Sequence, residues 1–155
     1  MAFDTGASLS VDGVTYSFPL GGVSMIVGND TDLSAAFSGA CTYSAFTDYM
    51  SNCGTGNTIG ASGNGVTAAG SYAFDSGFTI AGGLTSVSTS SGILTKEGSD
   101  AYGIEASYAA DSYGVAVAYV SADNATSAET TSWGLQGSYS FDLADLSVGY
   151  ETQET

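Results

Sequence analysis

From residue 64 to the C-terminus the chain keeps a two-residue rhythm. Stretches of roughly ten residues place bulky apolar or aromatic side chains at every second position, with Gly, Ala, Ser, Thr and an occasional carboxylate between them. Successive side chains of a β-strand point to opposite faces, so this pattern makes strands with one greasy face and one small, polar face. The bulky register comprises Val66, Tyr72, Phe74, Phe78, Ile80, Leu84, Tyr102, Ile104, Tyr108, Tyr113, Val115, Val117, Tyr119, Trp133, Leu135, Tyr139, Phe141, Leu146, Val148 and Tyr150. No Asp, Glu or Lys falls on it within the later strands. The other register carries Thr79, Thr85, Glu105, Ser107, Ser138, Asp142 and Glu151. A charge facing mid-bilayer costs up to ~2–4 kcal/mol, less for a carboxylate, so lipid demands this segregation. A soluble barrel would turn the bulky side inward and leave a nearly uncharged surface to water.

The strands expected are 3–11, 14–20, 22–29, 64–74, 77–87, 101–110, 113–122, 131–142 and 145–152. Asp12-Gly13 is a two-residue hairpin signal, and Gly21-Gly22, Asp75-Ser76-Gly77, Asp111-Ser112 and Leu143-Ala144 also read as tight turns. Longer polar segments at 30–63, 88–100 and 123–130 lie between them, so that short and long connections alternate in the second half, as in outer-membrane barrels. The fold expected is all-β: an antiparallel, up-and-down transmembrane β-barrel, small or partial, of eight or nine strands, forming one domain over residues 1–155.

The aromatic residues sharpen this reading. Phe74, Phe78, Tyr108, Tyr113, Tyr139 and Phe141 flank short turns at one level of the sheet, and Tyr102, Tyr119 and Trp133 lie towards the opposite strand ends. Two aromatic levels separated by Ile, Leu and Val are the pattern of interfacial girdles. Strand preference accounts for the number of aromatics but not for their clustering at strand ends.

Charge excludes whole classes of function. The 155 residues include sixteen carboxylates, one Lys, no Arg and no His, for a net charge of −15. Nucleic acid and anionic membrane surfaces both need cationic side chains, so neither is a partner. Ten Tyr, seven Phe and 43% hydrophobic residues are too many for a disordered acidic tail. Only 11% of residues are charged, against about 25% in a soluble domain. No apolar run is long enough for a transmembrane helix. Met1-Ala2-Phe3-Asp4-Thr5-Gly6 lacks the basic and hydrophobic regions of a secretory signal, so the mature form or an internal piece of a longer chain is expected.

Without His, no Ser-His-Asp or Cys-His catalytic group can form. Lys96 stands beside Glu97 in a loop and reads as a solvated charge rather than a Schiff-base nucleophile. Asp12, Asp75 and Asp111 are turn formers. Asn29-Asp30-Thr31-Asp32 lacks the glycine and distal Glu of a calcium loop, and Gly60-Ala61-Ser62-Gly63-Asn64-Gly65 opens no helix that could cradle a nucleotide. The expectation is therefore no enzyme, no metal and no cofactor.

Cys41 and Cys53 lie in a polar, Gly-rich segment. With no further zinc ligands, a disulfide in an oxidising compartment is the favoured reading, closing a short loop at about 3 kcal/mol of stabilisation; two free thiols in a reducing cytosol are the alternative. Thr42 is placed to cap a brief helix presenting Tyr43, Phe46 and Tyr49 on one side. The 30–63 segment is expected to fold over or into the lumen. Glu105, Asp142 and Glu151 are the candidate lumen charges; carboxylates lining a pore favour cations, and near strand ends they are merely solvated.

The run Tyr16-Ser17-Phe18-Pro19-Leu20-Gly21, then Asn29-Asp30-Thr31-Asp32, then Ala40-Cys41-Thr42-Tyr43 with Asn52-Cys53-Gly54, resembles the barrel region of cyanobacterial outer-membrane porins of the carbohydrate-selective (OprB-type) family. The resemblance spans nearly the whole chain. It implies passive diffusion of small hydrophilic solutes, sugars or inorganic ions, through a cyanobacterial outer-membrane porin that is commonly a homotrimer in membrane lipid. Family members usually carry an S-layer homology domain and a coiled coil, absent from these residues, and Tyr150-Glu151-Thr152-Gln153-Glu154-Thr155 lacks a terminal aromatic. Sixteen strands need about twice this length, so a porin fragment or short barrel variant is expected. Two rivals remain: a small closed barrel acting as a non-conducting anchor or adhesin, and a soluble secreted β-sandwich that binds a partner.

Overall fold

The computed structural model describes residues 13–40, 65–87, 95, 98–124 and 127–155. They form one eight-stranded antiparallel sheet in chain order: β1 (Val14–Leu20), β2 (Val23–Thr31), β3 (Gly65–Ala73), β4 (Phe78–Ser86), β5 (Asp100–Ala109), β6 (Tyr113–Asn124), β7 (Ser127–Ser140) and β8 (Asp145–Glu154). Among the described residues each strand pairs only with its sequence neighbours, in keeping with the turn signals. One 3-10 turn, η1 (Leu33–Ala36), follows β2. The expected strand 3–11, Cys41, Cys53 and the Thr42-capped helix lie outside the described residues.

Four tight connections gather at one end of the sheet. Leu20 pairs with Val23 across Gly21-Gly22, and Gly77, at φ +87, closes the β3–β4 turn by donating its N–H to Phe74 O at 3.1 Å. Only glycine adopts that left-handed geometry freely. At the other end the expectation of a long 123–130 loop is corrected. β6 and β7 continue as paired strands to Asn124↔Ser127 across a register shift, leaving two residues between them. Backbone pairing does not need apolar side chains; Thr130 and Thr131 are β-branched, and Ser121 Oγ donates to Glu129 Oε1 at 2.6 Å.

The sheet is open. Among the described residues β1 pairs only with β2 and β8 only with β7, so the antiparallel, up-and-down sheet is found but a closed barrel is not seen. A physical obstacle stands on one face. The interior of a closed eight-stranded barrel has room for side chains alone, whereas here a backbone segment lies across the small-residue face.

That segment, residues 33–40, makes the only core among the described residues. Asp32 caps η1 by accepting from Ser34 N at 2.8 Å and from Ser34 Oγ. Leu33 is then fully enclosed by Ala101, Val120 and Ala122, Ala36 packs on Ala69 and Ala81, and Phe37 touches both groups. Burying a leucine contributes ~1.5–3 kcal/mol. The bed accepts it because its side chains are small: a Cβ built on Gly103 would lie 3.1 Å from Leu33 Cδ1 and 2.8 Å from the Tyr119 carbonyl oxygen. Gly103→Ala is expected to destabilise the protein by ~1–3 kcal/mol through overpacking, read by chemical denaturation; a stability equal to wild type would place Leu33 elsewhere.

Candidate functional site: two faces and an inner strap

The sheet's two faces carry opposite chemistries. On the bulky face Phe78 is 52% exposed, Ile80 53%, Val117 41% and Leu135 57%, so these residues do not pack together in a dry centre. Tyr16, Ile104, Val148 and Tyr150 are more exposed still. Nothing described covers them. Residues on the other face are largely buried: Thr67, Ala69, Ala81, Thr85, Ala101, Ala116, Ala118 and Gln136. This small-residue face, with the strap of residues 33–40 upon it, is called the inner face below.

Aromatic rings on the bulky face stand in close pairs. At the turn end Phe78 and Tyr108 lie 4.7 Å apart between centroids, Tyr108 and Tyr113 5.8 Å, Tyr139 and Phe141 4.6 Å, and Tyr72 and Phe74 4.7 Å. At the other end Tyr119 and Trp133, register partners, lie 4.9 Å apart, with Tyr102 paired to Ser121 close by. Tyr113 and Tyr119 are separated along β6 by about 20 Å at a strand rise of ~3.4 Å per residue, close to the ~25 Å apolar band of an outer-membrane barrel.

The strap is pinned to the inner face at two points. Ser38 N donates to Glu105 Oε1 at 2.5 Å, and Ala40 N donates to Gln136 Oε1 at 2.7 Å. Residues 38–40 belong to no helix or strand, so these side chains satisfy amides that would otherwise be orphaned on a covered face. Thr67 fastens the strap's entrance: its Oγ1 reaches Thr31 O at 2.8 Å and Thr85 Oγ1 at 2.8 Å. Beyond Ala40, towards the tight turns, a cavity of about 590 Å³ opens, lined by strap residues 38–40 and by Thr79, Ser107, Ser138 and Ser140.

The three expected lumen charges part company here. Glu105 is only 2% exposed and serves as an anchor for the strap rather than an open charge. Asp142 is exposed in the β7–β8 turn, past the end of β7 at Ser140, which fits the solvated strand-end alternative. Glu151 is half-buried on β8, and the register Glu105↔Ala118↔Gly134↔Glu151 puts it at the same height as Glu105 on the same face. Three strand spacings separate them, about 14 Å.

Gln136 and the strap itself were not legible as functional elements. Gln136 is the one long amide among small inner-face neighbours on β7, a signal visible only once its register is known. The Asp32 cap of η1 also went unread, although Asp is a favoured capping residue. Neither a protein-family model nor a curated protein matches the chain.

Proposed function

We propose that these strands form wall of an outer-membrane diffusion channel of the cyanobacterial, carbohydrate-selective porin type, passing small hydrophilic solutes and ions. One observation carries the reading: between its two aromatic levels the bulky face is uncharged and its large apolar side chains stay exposed, while Glu105, Gln136 and Glu151 lie on the other side. In water, that much exposed apolar surface is a liability; in hydrocarbon it is the required boundary. The spacing of the aromatic levels supports the same orientation. With Glu105 covered, Glu151 and Asp145 on the inner register of β8 are carboxylates placed to bias permeation towards cations.

The strap favours a second reading, a non-conducting barrel that serves as an anchor or adhesin, since it fills much of the inner face. Planar-bilayer recording under a KCl gradient separates the two. The channel reading expects steady conductance with a reversal potential on the cation-selective side, reduced in Glu151→Gln. Anion preference rejects the charge assignment, and silence from correctly inserted protein favours the anchor.

A further inference from the structure

At the end of the sheet opposite the tight turns, one row of the bulky register changes from aromatic to acidic. Ser86 of β4 pairs with Asp100 of β5, and Asp100 pairs with Asp123 of β6. Paired residues share a face, so three oxygen-bearing side chains stand abreast on adjacent strands, with facing Cα atoms about 4.5–5.5 Å apart. The row lies just past Tyr102, outside the aromatic level.

Two features of this row have no explanation within the described residues. Asp100 is only 8% exposed and Ser86 fully enclosed, yet Asp100 Oδ1 and Ser86 Oγ each lack a hydrogen-bond partner. Asp123, which is exposed, places a second negative charge directly across the strand pair from Asp100. Like charges directly opposite destabilise a strand pair, and a buried carboxylate without a partner is costly. The chain is poorly equipped to compensate, with sixteen carboxylates to one Lys. That residue, Lys96, lies outside the described residues and brings one charge against two.

We propose that Ser86, Asp100 and Asp123 bind a hard divalent cation of the calcium class. The donors are all oxygen, which selects calcium or magnesium over softer metals. Calcium accepts six to eight oxygens in flexible geometry and completes its shell with water. No three acidic or sulfur- and imidazole-bearing side chains converge among the described residues, so the hydroxyl and the solvent-facing side of Asp123 are integral to the site. A bound cation turns the repulsion between Asp100 and Asp123 into attraction and gives the two unpartnered oxygens a ligand. It would thereby clamp the β4, β5 and β6 ends together.

Calorimetric titration of the full chain in detergent with calcium chloride, at low ionic strength, tests the site. Saturable uptake of one ion per chain is expected, with a Kd of ~10⁻⁴–10⁻³ M, as in extracellular calcium modules. Asp100→Asn and Asp123→Asn each weaken it by about tenfold or more, because affinity follows ligand charge. Asp111→Asn, in a turn at the opposite end, leaves it unchanged. In chelator the Asp100→Asn protein melts no lower than wild type, since the repulsion is gone, and calcium no longer raises its melting temperature. Absence of saturable uptake by wild type overturns the proposal, as does full uptake by both Asn variants. A loss of ion-free stability in Lys96→Gln without any calcium response identifies Lys96 as the counter-charge and also overturns it. The titration is independent of conductance, so its failure leaves the channel reading untouched.

Discussion

Leu135→Arg lowers the folded fraction in a bilayer by ~2–4 kcal/mol, a shift of roughly 30- to 700-fold in the folding equilibrium. Leu135 stands on the bulky register of β7, between Trp133 and Tyr139, paired with Val117 and Tyr150, and is 57% exposed. An arginine there meets hydrocarbon if the bulky face is lipid-facing. If the same face meets water, it is an ordinary surface substitution, worth about ±0.5 kcal/mol. The same measurement therefore separates the two environments by several-fold in energy. Ser138→Arg is the matched control, because Ser138 lies on the inner face beside the cavity, where a long charged side chain finds space and water. Denaturant titration in lipid vesicles, followed by the gel mobility of folded and unfolded forms, gives the comparison. Equal, small effects from the two substitutions would reject the membrane orientation outright.

Glu105→Leu frees the strap. The Ser38 amide loses a carboxylate acceptor at 2.5 Å on a covered face. Hydrogen bonds to charged groups contribute ~1.5–3 kcal/mol, and an amide left buried without a partner carries a desolvation penalty of its own. The expected outcome is a stability loss in that range together with higher single-channel conductance, since the strap crosses the inner face. Glu105→Gln keeps a carbonyl acceptor in the same place and is expected to lose less than Glu105→Leu. Gln136→Ala releases the neighbouring amide of Ala40. Because Glu105 and Gln136 hold one segment, the second substitution costs less once the first has been made; strict additivity would mean that they do not act on a common strap. Unchanged conductance in a folded Glu105→Leu protein would separate the strap from the permeation path.

Strand existence was readable from residue type because a pleated backbone converts sequence parity directly into facing. Val14–Leu20 coincides with its expectation, and seven further strands fall within a few residues of theirs. The differences occur where parity carries no information. The polar stretch around 123–130 has little hydrophobic contrast, so its continuation into β6 and β7 was hidden; pairing there rests on the backbone ladder. Asp142 kept inner-face parity on paper, but parity ceases to mean anything once a strand has ended, and β7 ends at Ser140. Glu105 had the right face and the wrong task, since its burial comes from a segment some seventy positions away in the chain.

By itself the sequence determined the local terms: alternation, turn glycines, a greasy register free of acids between the aromatic levels, and a net charge of −15. These follow from side-chain parity and composition, which every few residues specify independently of the rest. The tertiary structure decided what meets what. It put Leu33, Ala36 and Phe37 on the small-residue bed, turned Glu105 into an anchor, aligned Glu151 with it across three strands, and set Asp100 against Asp123. Such contacts depend on register summed over several strand pairs and on where one segment between β2 and β3 comes to lie, and neither quantity is carried by any short stretch of chain.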